Sequence, residues 1–97
     1  MRRAILFALA LLAACATAPA ATPIHGETPG HSCQKAGTEQ FVGKAATSDN
    51  GAAIMRESHA AVLRWAPPGV MLTMDFRADR VTVYLDEHSR ITKINCG

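Results

Sequence analysis

Two apolar runs near the middle of the chain are joined by a segment that carries no signal for a tight hairpin. The runs cover residues 61–65 and 81–85, and both have the composition of β-strands. The segment between them lacks an Asn-Gly, Asp-Gly or Gly-Gly pair, and its one glycine, Gly69, follows two prolines. A long loop in so small a domain is usually functional or disordered. Residues 73–81 are therefore the first candidates for a functional site.

A short helix is predicted ahead of the first strand. Residues 47–50 supply several N-cap candidates, and the good helix formers of residues 52–59 follow them. At helical spacing, Ala52, Met55 and His59 share one face, and Ile54 flanks it. Because the helix is short, packing on the domain must stabilise it.

Three strands complete the predicted domain, at residues 61–65, 81–85 and 91–96. In the second strand apolar and polar residues alternate, which predicts one buried face. In the third, Ile91 and Ile94 break strict alternation. One helix with these strands predicts a small α+β domain.

The beginning of the chain is predicted to be a secretory signal peptide. Residues 1–3 include two arginines, and residues 4–14 form an unbroken apolar run. That run is shorter than the roughly 20 residues that a membrane-spanning helix needs. Leu12–Cys15 resembles the lipobox of bacterial lipoprotein precursors, in which the cysteine, here Cys15, receives a diacylglyceryl group and becomes the first residue. The alternative is ordinary cleavage after Ala20.

The lipoprotein resemblance also implies a location. Ala16 stands where an aspartate would retain a lipoprotein in the inner membrane, so an outer-membrane anchor facing the periplasm is expected. Ordinary cleavage would give a periplasmic or secreted protein. The sequence divides into the signal peptide (1–14), the anchor cysteine with a flexible Ala-, Thr- and Pro-rich tether (15–32) and a globular domain (33–97).

Under both cleavage alternatives, Cys33 and Cys96 are the cysteines available for pairing within the domain. An exported chain matures in an oxidising compartment, where such a pair normally forms a disulfide. Closing so long a ring is worth about 4 kcal/mol in the chain-entropy model, which is comparable with the net stability of a small domain. Two free buried thiols are the alternative.

Charge does not favour nucleic acid as a partner. The whole chain has ten Lys and Arg against eight Asp and Glu, and removal of the signal peptide removes two arginines and no acidic residue. The mature net charge is therefore near zero, and only a lipid anchor would hold the protein on a membrane.

No enzyme, cofactor or metal site is predicted. The chain has four histidines, His25, His31, His59 and His88. None of them forms a pair at metal-ligand spacing. Two of the acidic residues Asp75, Asp79 and Asp86 could be interpreted as the paired carboxylates of a hydrolase, but so small a domain has no evident pocket to enclose them.

Residues 67–86, PPGVMLTMDFRADRVTVYLD, closely resemble the reactive-loop segment of potato inhibitor I-type serine protease inhibitors, which include the eglins and barley chymotrypsin inhibitor. The span 33–97, with a cysteine before the domain and Cys96-Gly97 at its end, resembles the elastase-inhibitor family, number seventy-eight in the peptidase-inhibitor classification. The Thr-x-Asp-x-Arg-x-x-Arg pattern is the most specific part of this resemblance.

The resemblance implies a small mixed sheet with one helix packed on it, in which parallel strands flank the loop and the loop is their crossover. It implies that the residues contacting a protease are Thr73, Met74, Asp75, Phe76 and Arg77. Met74 and Asp75 flank the scissile bond, and Arg80 supports the loop from beneath. Plant and leech members carry a second supporting arginine where this chain has Thr82.

The predicted function is inhibition of serine proteases by a monomer. Met74 is unbranched and apolar, so it can fill a hydrophobic specificity pocket, worth about 1.5–3 kcal/mol. It cannot pair with a pocket carboxylate, so chymotrypsin-, elastase- or subtilisin-like enzymes are the expected partners rather than trypsin. Arg80 can hold the Asp75 carboxylate or loop carbonyls through its planar fork of donors.

Other interpretations of these residues remain open. Met74 can be an ordinary loop residue, and the charged residues from 77 to 80 can be a solvated run, to which Asp79 is assigned. Phe41 and Trp65 are interpreted as core aromatics. The alternative function is a lipid-anchored envelope adaptor that uses the same loop to bind another protein without inhibiting an enzyme.

Overall fold

A computed structural model describes residues 24–97. The predicted signal peptide, the anchor Cys15 and the cleavage site after Ala20 lie outside these residues. The elements are a 3-10 helix at Thr38–Phe41, helix α1 at Ser48–Ser58, and strands β1 at Val62–Ala66, β2 at Arg80–Leu85 and β3 at Ile91–Cys96. Within residues 24–97, neither helix has the length and apolarity needed to cross a membrane.

The three strands form one mixed sheet in the order β1-β2-β3. β1 and β2 are parallel, with Val62 opposite Arg80, whereas β2 and β3 are antiparallel, with Val81 opposite Cys96. Residues 67–79 connect the parallel strands, and we call them the crossover loop. The predicted α+β fold, with one helix on a small mixed sheet, is confirmed.

The hydrophobic core lies between α1, the 3-10 helix and one face of the sheet. Its buried members are Phe41, Ile54, Ala60, Val81, Val83, Ile91 and Ile94. Trp65 is partly buried and packs against this cluster. Both aromatic residues therefore belong to the core, as the sequence predicted.

Helix α1 is capped by Thr47, the first of the predicted N-cap candidates. It starts at Ser48, where the Thr47 hydroxyl accepts a hydrogen bond from the Asn50 N–H at 3.1 Å, and it continues through Gly51. A Cβ atom at Gly51 would lie 3.0 Å from the Trp65 ring. The helix includes this poor helix former because a larger residue would push α1 away from the sheet.

The buried face of α1 also differs from the prediction. The predicted face consisted of Ala52, Met55 and His59, with Ile54 at its flank. The residues that α1 buries are Gly51, Ile54 and Ser58. Ser58 tolerates burial because its hydroxyl donates to the Met55 carbonyl oxygen at 3.4 Å and accepts from the Ala60 N–H at 3.3 Å. Apolar periodicity therefore placed the face wrongly, because two of its three members are not hydrophobic.

The broken alternation in β3 is explained by a β-bulge. Val83 pairs with Ile94 and Leu85 pairs with Ile91, with a shift in register between Tyr84 and Leu85. β3 therefore has one extra residue along this stretch, which turns the side chains at both of its isoleucines to the same face. Ile91 and Ile94 are accordingly both buried, at 1% and 3% exposure.

The last residues of the predicted tether, 24–32, lie against the crossover loop, and we call them the N-terminal arm. The Asp79 N–H donates to the Gly26 carbonyl oxygen at 3.0 Å, and the Thr28 hydroxyl donates to the Asp79 carboxylate at 2.7 Å. Composition predicted flexibility because the arm has little apolar surface to bury. Its contacts to the domain are hydrogen bonds instead.

The predicted disulfide is confirmed. Cys33 and Cys96 are bonded, with a Cα–Cα distance of 5.6 Å and a sequence separation of 63. The Cys33 N–H also donates to the carbonyl oxygen of Ala78 at 2.8 Å. The disulfide therefore joins the start of the domain to its last strand, close to the end of the crossover loop.

Replacing both cysteines, Cys33→Ser with Cys96→Ser, should lower the free energy of unfolding by about 4 kcal/mol, because the unfolded chain regains the entropy of an open ring. Urea unfolding followed by circular dichroism measures this change. The reduced wild-type protein is the control, since it lacks the same bond without any substitution. A loss below about 1 kcal/mol in both samples would contradict the expectation.

Candidate functional site

The crossover loop exposes its apolar side chains to solvent. Met74 is 99% exposed, Met71 is 93% exposed and Phe76 is 72% exposed. Within the described chain, no backbone group of residues 71–76 pairs with another backbone group. The loop therefore presents backbone groups that have no backbone partner together with apolar side chains, which are the features that a strand-binding partner recognises.

Arg80 lies beneath this exposed segment, at the first position of β2. Its side chain is largely buried, and one guanidinium nitrogen donates to the Asp75 carbonyl oxygen at 2.8 Å. Its Nε donates to the backbone oxygen of Gly97 at 2.9 Å, and another nitrogen lies 3.6 Å from the Asp75 carboxylate. One arginine thus connects the loop to β2 and to the residue that follows β3.

The Asp75 carboxylate is held in its ionised form. A hydrogen bond from the Thr73 side chain is the main cause that lowers the pKa of Asp75; the Asp75 backbone N–H and the charge of Arg80 lower it further, while desolvation opposes them. The imidazole Nε2 of His25 also lies 3.8 Å from this carboxylate. The side chains of Thr73 and Asp75 therefore interact with each other on the two sides of Met74.

Arg64 provides a second support that the sequence analysis missed. Arg64 and Thr82 are partners in the parallel pairing of β1 and β2, and the Arg64 Nε donates to the Thr82 hydroxyl at 3.2 Å. A terminal nitrogen of Arg64 continues to the loop and donates to the Thr73 hydroxyl at 3.1 Å. The neighbouring strand thus supplies a guanidinium next to the position where the plant and leech inhibitors carry theirs. The sequence did contain one indication of this role, because Arg64 is a charged residue within the apolar run 61–65.

Asp79 is not part of a solvated charge run, contrary to the interpretation from sequence. It is completely buried, and the Arg77 guanidinium donates to its two carboxylate oxygens, each at 3.0 Å. The hydrogen bonds from Arg77 and from Thr28 lower the pKa of Asp79 to about 2, despite its desolvation. The same pairing raises the pKa of Arg77. The Arg77 side chain consequently points into the protein, whereas its neighbours Met74 and Phe76 point outward.

Gly97 completes the support of the loop. Its backbone oxygen accepts hydrogen bonds from Arg80 and from the Thr82 hydroxyl, the latter at 3.0 Å. A Cβ atom at Gly97 would lie 3.1 Å from the Phe76 ring, and the residue has a φ of 129°. Only glycine combines this backbone conformation with so close an approach of an aromatic ring. The polar face of β2 is therefore covered as well, and Arg80 and Thr82 are buried at 7% and 2% exposure.

The part of the chain from 24 to 97 has no cluster of three or more His, Cys, Asp or Glu side chains that could hold a metal ion. The acidic residues Asp75 and Asp79 instead have arginine and hydroxyl partners. Asp86 accepts hydrogen bonds from the backbone N–H groups of Arg90 and His88, which lower its pKa and close the turn between β2 and β3. These three carboxylates therefore have structural partners, and they do not converge on one site.

Comparison with known proteins identifies the family. Residues 33–97 match the model of the peptidase inhibitor I78 family. Among solved structures, the bitter gourd trypsin inhibitor is 29% identical, with 70% of this chain and 94% of that chain covered, at a TM-score of 0.53. The elastase inhibitor AFUEI is 23% identical, with 62% of this chain and 82% of that chain covered, at a TM-score of 0.50, and supports the fold alone. The search of curated proteins returned no match.

The matched span begins at the first disulfide cysteine and includes the crossover loop, Arg80 and Gly97. It also covers all three strands and α1. This chain therefore belongs to the peptidase inhibitor I78 family.

Proposed function

We propose that this protein inhibits serine proteases of the chymotrypsin, elastase and subtilisin types by presenting the Met74–Asp75 bond to their active sites. One observation carries the proposal: Met74 is 99% exposed while the adjacent Asp75 carbonyl oxygen is fixed by the buried Arg80 at 2.8 Å. The side chain that enters the enzyme is free, and the backbone beside it is held. Membership of a peptidase inhibitor family and likeness to a trypsin inhibitor support the general activity.

The chemistry of Met74 selects the enzyme class. A protease that binds the loop as an added strand places this side chain in its main specificity pocket. A thioether side chain gains free energy in an apolar pocket, whereas the buried carboxylate of a trypsin pocket would stay without a charged partner. Chymotrypsin-, elastase- and subtilisin-like enzymes are therefore the proposed targets.

The supports on the two sides of the bond give a physical account of inhibition. Attack of the enzyme's serine on the Met74 carbonyl breaks the bond to Asp75 and leaves a new amine on that residue. The acyl-enzyme is hydrolysed only when the amine moves away and water takes its place. Because Arg80 holds the Asp75 carbonyl and Arg64 holds Thr73, the amine stays beside the acyl carbon and the peptide bond reforms. A loop held in this way also loses little conformational entropy when it binds.

Asp79 adds a third fixed point on the side of the new amine. Its buried carboxylate binds the Arg77 guanidinium through both oxygens. Its backbone oxygen accepts hydrogen bonds from the N–H groups of Ala61 and Val62, at 2.8 and 3.2 Å. These contacts attach the end of the crossover loop to the start of β1, so the segment after the scissile bond has little freedom to leave.

The first test is a panel of chymotrypsin, elastase, subtilisin and trypsin titrated with residues 21–97. We expect inhibition of the first three with Kd below about 1 μM and none of trypsin. Met74→Arg should shift inhibition to trypsin, because the guanidinium pairs with the pocket carboxylate. Met71→Arg is the matched control, since Met71 is 93% exposed on the same loop and should not cause this shift. Absence of inhibition across the panel would favour the adaptor function.

The second test concerns the two arginines that hold the loop, Arg80 and Arg64. Arg80→Ala removes two hydrogen bonds from a buried guanidinium, so subtilisin should cut the Met74–Asp75 bond at least about tenfold faster than in the wild type. Mass spectrometry of timed samples measures the cleavage. Arg64→Ala loses one contact to the loop and should increase cleavage by less. Arg56→Ala, at an exposed position of α1, is the control. An Arg80→Ala protein that stays uncut and inhibits as well as wild type would refute the mechanism.

The third test is the pH dependence of stability. The pKa of Asp79 is about 2 in the folded protein and 3.8 without its partners, so its stabilising contribution is complete above pH 3.8 and is lost as the pH falls towards 2. Wild type should melt at a higher temperature than Asp79→Asn at pH 5, and this difference should shrink between pH 4 and about pH 2.

Glu87→Gln is the control for this pH series, because Glu87 is exposed and its side chain has no hydrogen bond within residues 24–97. Its melting temperature should follow the wild type at every pH. A difference between wild type and Asp79→Asn that stays constant from pH 5 to about pH 2 would mean that Asp79 is not an ionised, stabilised carboxylate.

A further inference from the structure

The N-terminal arm lies ahead of the span that matches the family, yet it contacts the crossover loop. Gly26 accepts the Asp79 N–H at 3.0 Å, and the Thr28 hydroxyl donates to the Asp79 carboxylate at 2.7 Å. His25 lies 3.8 Å from the Asp75 carboxylate. The arm therefore runs along the segment that follows the scissile bond, from Asp75 to Asp79.

The shape of the arm is defined by its own hydrogen bonds. The Glu27 N–H donates to the Ile24 carbonyl oxygen and the His31 N–H donates to the Thr28 carbonyl oxygen, each at 2.9 Å. Two successive turns thus bring the chain to Cys33, where the disulfide fixes it. The arm is attached to the domain at both its middle and its end, so it can resist movement of the loop.

Gly26 shows how closely the arm approaches the loop. It is buried among exposed neighbours and has a φ of 85°. A Cβ atom at this position would lie 3.1 Å from the Arg77 Cα. The arm backbone is therefore in direct contact with the loop backbone, and the residue at this point must be glycine for reasons of both conformation and space.

Burial of Asp79 depends on the arm. Arg77 donates to both oxygens of this carboxylate, and Thr28 supplies a further donor to one of them. Without the arm, the Asp79 backbone N–H would also lose its partner at Gly26. A buried carboxylate that loses donors and cover becomes hydrated, and Arg77 is then free to swing outward.

We propose that the N-terminal arm contributes to inhibition: through Thr28 and Asp79 it holds the segment that carries the new amine in place after the bond is cut. This role rests on the proposed function, because it concerns the rate at which the held bond is hydrolysed. Thr28 is a positioning residue: it acts on the loop through Asp79 and lies outside the segment that enters the protease.

The experiment compares Thr28→Val with the wild type in residues 21–97. Valine has nearly the shape of threonine but lacks the hydroxyl donor. We expect subtilisin to cut the Met74–Asp75 bond about tenfold faster, while the rate of complex formation is unchanged. The amide of Asp79 should also exchange its hydrogen about tenfold faster by NMR, in the absence of any protease.

Two further variants separate this role from general stability. Thr28→Ser keeps the donor and should restore both rates. Thr92→Val removes a hydroxyl that donates to the Tyr84 carbonyl oxygen at 3.2 Å in the sheet, and it should leave both rates at the wild-type value.

The possible results distinguish failure of the arm's role from failure of the proposed function. Unchanged cleavage of Thr28→Val by a protease that the wild type inhibits would overturn the role of the arm and leave the proposed function intact, whether or not the exchange of Asp79 changes. Equal acceleration in Thr92→Val would overturn it also, since the effect would then come from stability alone. A wild type that inhibits no protease would overturn the proposed function, and the arm's part in inhibition with it.

Discussion

The parallel pairing of β1 and β2 is the constraint on which the other features depend. Parallel strands cannot be joined by a tight turn, because the chain must return along the length of the sheet before it pairs. The crossover loop makes this return without a helix of its own, and its residues 71–76 have no backbone–backbone hydrogen bond to fix their shape. Side chains from the surrounding structure supply what the loop lacks. Arg80 contributes from β2, Arg64 from β1 and Thr28 from the arm.

These supports are polar, whereas the domain itself is held by a small apolar core and one disulfide. The division has a physical reason. Apolar contacts are not directional, and they would draw an exposed apolar loop down onto the domain. Hydrogen bonds from a guanidinium fix distances and directions, so they can hold the Asp75 carbonyl at a set position while Met74 remains in solvent. The buried Asp79 fits the same principle, since its partners are directional donors and its carboxylate is ionised.

The sequence predicted the fold class, the disulfide and the position of the loop, because these depend on strong local signals and on a motif of several residues. It failed where the outcome depends on tertiary contacts. The buried Asp79 carboxylate accepts a hydrogen bond from Thr28, which is distant in sequence, and no local pattern joins them. The contact of Arg64 with Thr73 follows only from the register of β1 and β2. The buried face of α1 was predicted wrongly because Gly51 and Ser58 belong to it. Residues 24–32 were interpreted as a tether because their contacts to the domain are hydrogen bonds, which leave no apolar pattern in the sequence.

The isolation of Met74 has a consequence for how such proteins diversify. Its side chain is 99% exposed, so a substitution at this position should change the free energy of folding very little. Substitution of Arg80, Gly97 or Asp79 would lower the stability of the fold, since each of these residues is packed against or hydrogen-bonded to its neighbours. A single substitution at Met74 can therefore change the side chain that the loop offers to an enzyme without disturbing the fold, whereas a substitution at one of the residues beneath it would also loosen the loop.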